Sequence, residues 1–312
     1  MLSIIIASWK EPKTIGRCIK CIADSKYSGI PKDFQIIQVS PDKETLDAGR
    51  QMAEELNLSK TQYTQLKDPC KGKPYALKMA GKKVRGDIVI WTDGDTYFNR
   101  NAVKELLKPF KNPKVGGVSG RPVSMDKKDN IFGYWGHLLS DAADHRRINT
   151  LEQTDDGYYI SGETFFPMSG YIMATRKISF DIPSDVLSDD AYISYQLRNQ
   201  GYEIGYARGA ECFVKYPTTM KDYYTQKVRS LGGFTQLKRM NIFKRDRQSR
   251  SFWIELGYAF FVFKYAKNVK EFLWSLLLFP VRLVTWGRIF WERTILKKGM
   301  PQNGWERILS TK

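Results

Sequence analysis

Histidine and cysteine are scarce in this chain of 312 residues, which contains two histidines and four cysteines. Cys18 and Cys21 form a Cys-x-x-Cys pair, but no second pair stands at the spacing that would complete a zinc site. This absence disfavours a zinc-binding module and predicts that the pair packs inside a helix. Four cysteines in so long a chain also do not suggest a disulfide framework, which favours a reducing, cytoplasmic setting for the catalytic part.

Two other signals are missing, and acidic charge is in short supply. No Gly-rich loop of the GxxxxGKS or GxGxxG type stands at a strand-to-helix turn, so a nucleotide would have to be held by other means, such as a metal. The opening residues MLSIIIAS lack the length and basic start of a signal peptide and indicate a strand. Asp and Glu number 33 against 50 Lys and Arg, a net charge of +17. That charge implies an anionic partner: nucleic acid, an anionic membrane surface or a phosphorylated substrate.

The sequence does contain an alternation of apolar runs and helical patterns. Continuous apolar runs are typical of parallel strands that are covered on both faces. The alternating order predicts an α/β fold with an open, mostly parallel sheet flanked by helices. Ligands of such sheets bind outside the carboxyl ends of the strands. The predicted strands are 2–8, 34–40, 87–93 and 115–120, and the predicted helices are 13–25, 43–56, 72–84, 101–110 and 188–201.

Two carboxylates, Asp93 and Asp95, follow the apolar run that ends the third predicted strand. Roughly one Asp-x-Asp is expected by chance in a chain like this, and Asp-Gly after a strand is ordinary turn chemistry. Two like charges at the mouth of a parallel sheet nevertheless repel each other and need a cation. Mg²⁺ and Mn²⁺ commonly take one or two carboxylates together with substrate phosphates. The pair therefore predicts a metal site with a diphosphate-bearing substrate, and a simple turn is the alternative.

Two further pairs of polar residues could carry chemistry. Asp189 and Asp190 stand at the start of a predicted helix, where they could complement the helix dipole or present an ionised general base. Gln226 and Arg229 are three residues apart and share one face of any helix they lie on. Arg229 could clamp phosphate oxygens or simply belong to a basic surface.

The composition changes after about residue 215. Residues 215–250 carry ten Lys or Arg against two Asp, and the apolar stretches 252–263 and 272–291 follow. This change predicts a division into a catalytic domain, residues 1–235, and a basic and hydrophobic helical region, residues 236–312, that associates with a membrane.

The second apolar stretch is interrupted by Pro280 and by two arginines. On a helix, Ser275, Arg282, Thr285 and Arg288 fall in one arc of roughly 140°. This pattern favours an amphipathic helix that lies at a membrane interface over one that spans it. The alternative is a C-terminal helix pair buried against the globular domain.

Four blocks, taken together and in order, resemble family 2 glycosyltransferases over roughly residues 2–233. SIIIASWKEPKTIGRCIKCI is similar to the family's opening strand and helix, and GKPYALKMAGKKVRGDIVIWTDGDT to its Gly-Lys-x-x-Ala-Leu-Asn segment and Asp-x-Asp strand. LSDDAYISYQLRNQGYEIGY resembles the Glu-Asp helix that carries the catalytic base. QKVRS resembles the Gln-x-x-Arg-Trp motif of the membrane-associated members. The chain departs from the family at Lys10, Met79, Asp189 and Ser230, where Asn, Asn, Glu and Trp are usual.

The resemblance implies a GT-A fold, a nucleoside-diphosphate-sugar donor, Mn²⁺ or Mg²⁺ as cofactor, and transfer with inversion at the anomeric carbon. It implies that Asp190 is the base and that Asp95, with Asp93, holds the metal. It also implies a set of residues that bind the nucleotide sugar: Glu11, Asp42, Lys73, Asp93, Asp189, Gln226 and Arg229.

The sequence thus favours a metal-dependent inverting glycosyltransferase, associated with the cytoplasmic face of a membrane. We expect it to move one sugar, from a UDP-sugar by preference, to a lipid-linked or membrane-proximal glycan acceptor. A processive polysaccharide synthase is an alternative, but it would need several firm spans, and Ser230 replaces the Trp that lines the acceptor channel of synthases. A basic nucleic-acid-binding protein is disfavoured because the positive charge lies beside Trp-rich apolar stretches. A binding module without catalysis is a further alternative.

Overall fold

The predicted apolar runs form the centre of a single mixed sheet. The computed structural model describes residues 1–244, 259–295 and 309–311. β1 (Leu2–Ala7) is buried along its whole length and pairs in parallel with β2 (Phe34–Ser40) and β4 (Ile88–Asp93). β3 (Tyr63–Lys67) extends the parallel part beside β2. Helices must connect such strands and cover both faces of the sheet. They are α1 (Ile15–Ala23), α2 (Ser25–Ser28), α3 (Lys43–Glu55) and α4 (Lys73–Gly81).

The second half of the chain completes the sheet. β9 (Met173–Arg176) runs antiparallel between β4 and β6 (Val115–Ser124), and β6 pairs in parallel with β10 (Glu203–Val214). The strand order is β3-β2-β1-β4-β9-β6-β10-β8-β7, with β5 paired to β10. The long strands thus run parallel to a neighbour, which confirms the predicted α/β class. The short strands are β5 (Tyr97–Phe98), β7 (Glu152–Gln153) and β8 (Tyr159–Ile160).

The helices of the second half include one that the sequence patterns did not indicate. A stretch that looked irregular contains a 20-residue helix, α6. Its buried positions do not form a single apolar stripe, because the charged Asp144 and Arg147 are buried as well as Tyr134, Trp135 and Leu138. The four helices are α5 (Ala102–Leu107), α6 (Ile131–Thr150), α7 (Asp189–Asn199) and α8 (Met220–Arg239).

Two hydrophobic clusters cover the two faces of the sheet. Successive side chains of β1 alternate between them, with Ile4 and Ile6 in one cluster and Ile5 in the other. The first cluster contains the apolar side of α1, including the buried Cys18, whose thiol lies 3.5 Å from the carbonyl oxygen of Asp93. This burial confirms that Cys18 packs inside a helix. The second cluster holds residues of α4, α7 and α8.

Two more helices, α9 (Ala259–Tyr265) and α10 (Val269–Phe290), follow near the end of the chain. Leu278 of α10 joins a third apolar cluster with residues of α6 and α8. α8 itself runs across residue 235, where the sequence predicted a domain boundary. Residues 252–258 of the first predicted apolar stretch, and 296–308 of the C-terminal region, lie outside the described residues. Within the described parts of the chain, no helix combines the length and the apolar character that crossing a membrane requires.

Candidate active site

Two of the predicted site residues lie at the carboxyl edge of the sheet: Glu11 in the loop after β1 and Asp95 in the turn after β4. The loop after β1 carries Glu11, whose side chain is buried and whose backbone N–H donates to Thr45 Oγ1 at 2.8 Å. A Cβ added to Gly94, between Asp93 and Asp95, would lie 2.5 Å from Glu11 Oε2. That Cβ would also lie 2.7 Å from Ser8 Cβ, so the close approach of the Asp-Gly-Asp turn to the loop after β1 requires the glycine. The two loops meet, as parallel strands that end at one edge dictate.

Asp42 holds the same loop from the end of β2. Its Oδ1 accepts the N–H of Thr45 at 2.9 Å and so caps α3, while its Oδ2 accepts the N–H of Lys10 at 2.7 Å. Burial alone would raise the pKa of the Asp42 carboxyl, but these bonds and one from Ser40 outweigh burial and lower the pKa. Both carboxylate oxygens of Asp42 thus contact the protein itself. Its predicted contact with the nucleoside stays a prediction.

Lys73 joins the two acidic pairs. It is the first residue of α4, after Gly72, whose φ of 96° suits glycine alone. Its Nζ lies 2.6 Å from Asp93 Oδ1 and 3.7 Å from Asp189 Oδ2. Burial alone would lower the pKa of Lys73, but the charges of Asp189 and Asp93 outweigh burial and raise it. A single cation therefore links the end of β4 to the start of α7.

The two carboxylates at the start of α7 have different surroundings. Asp189 is 5% exposed, and its Oδ2 accepts no hydrogen bond from any residue that the structure describes. Burial raises the pKa of the Asp189 carboxyl, and the charge of Lys73 opposes that rise only in part. Asp190 is half-buried, and its two oxygens accept the N–H groups of Ala191 at 2.8 Å and Gly170 at 3.1 Å. Asp190 is thus the member of the pair that is held by backbone donors and remains accessible.

These groups surround one cavity of about 260 Å³. Six of the nine predicted site residues line it, and Glu11, Asp42 and Asp95 are not among its lining residues. The structure therefore brings most of the predicted site together from four separate segments. The six residues are Lys73, Asp93, Asp189, Asp190, Gln226 and Arg229.

One face of α8 brings Gln226 and Arg229 to this cavity. Gly233 and Gln236 continue that face at helical spacing. Gln236 Oε1 accepts the N–H of Leu187 at 2.8 Å, and its Nε2 donates to the carbonyl of Asp185 at 2.8 Å. A Cβ added to Gly233 would collide with Ser188 Oγ. Gly233 and Gln236 thus hold α8 against the segment before α7, while Gln226 and Arg229 line the cavity.

The contact with Gly233 also involves the N-cap residue of α7. That residue is Ser188, whose side chain makes no capping hydrogen bond. Its hydroxyl lies against the face of α8 instead. The pattern Gln226, Arg229, Gly233, Gln236 is visible in the sequence as one helical stripe. Its function was missed because the partner segment, residues 185–188, is distant in sequence.

The remaining wall of the cavity comes from α6 and from the segment before β9. The N–H groups of Met168 and Ser169 donate to Ser194 Oγ and Ser119 Oγ, each at 3.0 Å, and hold that segment in place. Arg147 of α6 is buried, with its guanidinium 4.5 Å from the ring centre of Phe166. The sequence did not indicate Arg147, because the helix that carries it was not predicted.

The residues present suit a divalent metal that is shared with a ligand. Within the described residues, no group of three or more His, Cys, Asp or Glu side chains could hold a metal ion by itself. Asp93 and Asp95 offer two carboxylates, and Lys73 already pairs with Asp93. Mg²⁺ and Mn²⁺ are commonly bound through one or two carboxylates plus substrate phosphates. The two carboxylates suit such a shared metal, and their role as its ligands stays a prediction.

The fold and the site together define a class of protein, the GT-A-type glycosyltransferases. Over residues 1–233 the chain matches the family described as "Glycosyltransferase like family 2". The chain belongs to this family, as its motifs predicted.

Two curated relatives are poly-β-1,6-N-acetyl-D-glucosamine synthases. The chain is 24% identical to that of Staphylococcus aureus (strain COL) over 249 residues, which cover 76% of this chain and 56% of the relative. It is 27% identical to that of Staphylococcus epidermidis over 176 residues, which cover 54% of this chain and 40% of the relative. The chain thus spans about half the length of the curated relatives it matches.

A solved structure shares the fold over nearly the whole chain. It is a mannosyltransferase from Pyrobaculum calidifontis in complex with GDP-Man and Mn²⁺. The two structures superpose with a TM-score of 0.61 at 17% sequence identity, covering 96% of this chain and 88% of the other. At that identity the likeness shows the shared fold.

Proposed function

We propose that the chain transfers a single sugar, with inversion, from a nucleoside-diphosphate sugar to a lipid-linked or membrane-proximal glycan acceptor. A UDP-sugar is the favoured donor, and the cytoplasmic face of a membrane is the favoured location. Residues 1–235 would form the catalytic domain, and residues 236–312 the membrane-associating region. The observation that carries the proposal is that Asp190, Lys73 and Arg229 line the same cavity. It combines an accessible carboxylate with fixed positive charge.

Asp190 is the general base of this proposal. An inverting transfer needs a carboxylate that takes the proton of the acceptor hydroxyl as its oxygen attacks the anomeric carbon. The N–H groups of Ala191 and Gly170 orient both Asp190 oxygens and leave lone pairs for the acceptor. Asp189 is less suited to this role, because it is buried and ion-paired with Lys73. The base is therefore assigned by accessibility within the pair.

Positive groups of the cavity would hold the diphosphate. Arg229 and Lys227 line it from α8, together with the amide of Gln226. A guanidinium binds two phosphate oxygens at once, and an amide adds a neutral donor. Asp95 and Asp93 would hold Mn²⁺ or Mg²⁺, which, when bound, neutralises charge on the leaving diphosphate. Lys73 would keep Asp93 in position, since its ammonium already contacts that carboxylate.

Repeated transfer is the second candidate, because two relatives are named as polysaccharide synthases. Product length with a labelled donor separates the two candidates. A single added sugar supports the first, and a ladder of products supports the second.

The test combines binding with transfer. UDP-, GDP- and dTDP-sugars are screened for stabilisation that depends on Mn²⁺ or Mg²⁺, since a ligand that binds the folded state raises its stability. With the best donor, Asp190→Asn should lower kcat by about 10²–10⁴-fold while donor-dependent stabilisation persists. Asp95→Ala should lose the metal-dependent part of that stabilisation. Asp156→Asn, at an exposed position, is the matched control. Transfer at the wild-type rate by either site variant would contradict the assigned roles.

A further inference from the structure

α10 exposes an apolar surface, which we call the outer face. It comprises Phe272, Leu273, Leu276, Leu277, Leu283 and Val284, each between 40% and 68% exposed. Together with the exposed Pro280, these positions recur at intervals of three and four residues, so they form one stripe along the helix. The helix has 22 residues, which corresponds to a length of about 33 Å. Soluble domains rarely leave so continuous an apolar stripe in water, and such surfaces mark interaction sites.

The opposite side of α10 carries polar groups and packs on the catalytic domain. Ser275 is fully buried, and its Oγ lies 2.7 Å from the hydroxyl of Tyr134 on α6. The carbonyl of Trp274 accepts the indole N–H of Trp135 at 2.8 Å. Thr285, from the polar arc predicted by the sequence, is also buried. The helix thus turns the hydroxyl groups of Ser275 and Thr285 inward and four of its five leucines outward, which is the reverse of a helix whose outer side faces water.

Among the described residues, α6 and α8 pack against one side of α10. Arg288 of α10 also reaches α8, where its guanidinium lies 4.2 Å from the ring centre of Tyr224. The outer face can therefore lie on an apolar medium while the other side stays on protein. This geometry suits a helix that lies in the plane of an interface.

Charge around the outer face identifies the partner. Residues 259–295 carry six Lys or Arg against two Glu. Lys264, Lys267 and Lys270 are all exposed around the start of α10. A second copy of the chain would bring two basic segments together, whereas an anionic lipid surface attracts them. The charge complements anionic headgroups, and the leucines complement the acyl region beneath them.

We propose that the outer face of α10 docks on an anionic lipid bilayer, with the lysines at the headgroups and the apolar stripe below them. This names the surface for the proposed membrane location, on which it rests, but it does not depend on sugar transfer. α6 and α8, the helices beneath α10, also line the cavity. A docked bilayer would then lie next to two helices that line the cavity, which suits a lipid-linked acceptor.

The test is flotation of the purified chain with vesicles of phosphatidylcholine and phosphatidylglycerol, and with vesicles of phosphatidylcholine alone. The outer-face variant replaces Leu273, Leu277 and Leu283 by Gln. The basic variant replaces Lys264, Lys267 and Lys270 by Gln. Its matched control replaces three exposed lysines near the β3 edge of the sheet, with the same change in net charge: Lys32, Lys60 and Lys67.

We expect the wild type to bind phosphatidylglycerol vesicles and to prefer them over phosphatidylcholine vesicles. The outer-face variant should bind about a hundredfold more weakly, because it removes apolar burial. The basic variant should lose about ten- to a hundredfold of binding, and high salt should imitate it. The matched control should stay within about twofold of wild type.

Three results would overturn the proposal. They are a wild type that binds neither vesicle, an outer-face variant that binds as the wild type does, and an outer-face variant that only dissociates a wild-type dimer in light scattering. The last result would assign the face to a second copy of the chain. Donor turnover in detergent is measured on the same proteins and should be unchanged in both variants. If the wild type shows no donor turnover, that result counts against the sugar-transfer function, and vesicle binding is judged separately.

Discussion

The candidate site contains two acidic pairs, Asp93 with Asp95 and Asp189 with Asp190, and the two members of each pair differ in their contact with Lys73. In each pair one carboxylate contacts Lys73, at 2.6 Å for Asp93 and 3.7 Å for Asp189. The other members are Asp190, the proposed base, and Asp95, which is proposed to hold the metal together with Asp93. A single ammonium thus lies beside one carboxylate of each pair and offsets part of the repulsion between Asp93 and Asp189.

The two carboxylates that contact Lys73 differ in their burial and in their hydrogen bonding. The side chain of Asp93 is 25% exposed at a strand end, and its Oδ1 lies within hydrogen-bonding distance of Lys73. Asp189 is buried, and the oxygen nearest Lys73 accepts no hydrogen bond within the described residues. Burial therefore raises the pKa of Asp189. Identical side chains acquire different chemistry from their surroundings, and the comparison can be tested from both ends.

The largest effect should separate the two aspartates of α7. Asp190→Asn removes the proposed base, so kcat should fall by about 10²–10⁴-fold. Asp189→Asn removes a charge that contacts Lys73, so it should raise the donor KM and change kcat by about tenfold or less. Steady-state kinetics over a range of donor concentrations measures both. Equal losses of kcat in the two variants would show that the pair acts as one unit and would break the division.

Removing the cation that the two pairs share, Lys73, should mainly lower the stability of the protein. Lys73→Met leaves Asp189 buried without its counter-charge, which should lower the free energy of unfolding by about 3 kcal/mol at neutral pH. The pKa of Asp189 is already raised above 3.8, and without Lys73 it should rise further. An acid whose pKa is higher in the folded state loses stability as pH rises between the unfolded and folded values. The deficit of Lys73→Met should therefore grow from acidic to neutral pH.

Denaturant unfolding at several pH values checks this, and α4 provides the matched control. Lys78 pairs with Asp181 at 2.6 Å, but both side chains are well exposed. Lys78→Met should change stability by about 1 kcal/mol or less. The wild-type Lys73 stays charged throughout, because its pKa is raised above the usual value of 10.5. A deficit for Lys73→Met that equals the control, or that shrinks as pH rises, would contradict the bridging role.

The smallest effect should come from the contact that sets α8 against α7. Gly233→Ala places a methyl group on Ser188 Oγ, which should cost about 1–3 kcal/mol and raise the donor KM by displacing Arg229. Ser188→Gly in the same chain should restore most of the loss, because Ser188 makes no capping hydrogen bond. Gly287→Ala is the control, since a Cβ there meets no atom within 4 Å. Thermal unfolding and donor KM report both outcomes, and failure of the double variant to recover would exclude the contact as the cause.

Much of the fold could be predicted because its signals are local. The strand at residues 34–40 was predicted at both ends, and the opening of α4 after Gly72 follows from the same local pattern. The continuous apolar run of β1 and the helical spacing along α1 depend on residues only a few positions apart. α6 escaped prediction because it is buried on several sides and its buried residues include the charged Asp144 and Arg147. Such a helix has no single apolar stripe to recognise.

The candidate site could be predicted residue by residue but not as an arrangement. Six of the nine predicted residues line one cavity, yet no spacing indicated that Lys73 lies between Asp93 and Asp189. The clamp formed by Gln236 joins segments about fifty residues apart and has no local signature.

The sequence by itself indicated four strands of the sheet and several of its helices, the family, and the residue types available for metal, phosphate and proton transfer. These properties follow from local periodicity and from motifs that are read along the chain. Only the tertiary structure decided which carboxylate of each pair meets Lys73, and which side of α10 faces outward. Those outcomes depend on burial and on contacts between segments distant in sequence, because both the charge state of a carboxylate and the exposure of a leucine are set by neighbours from elsewhere in the chain.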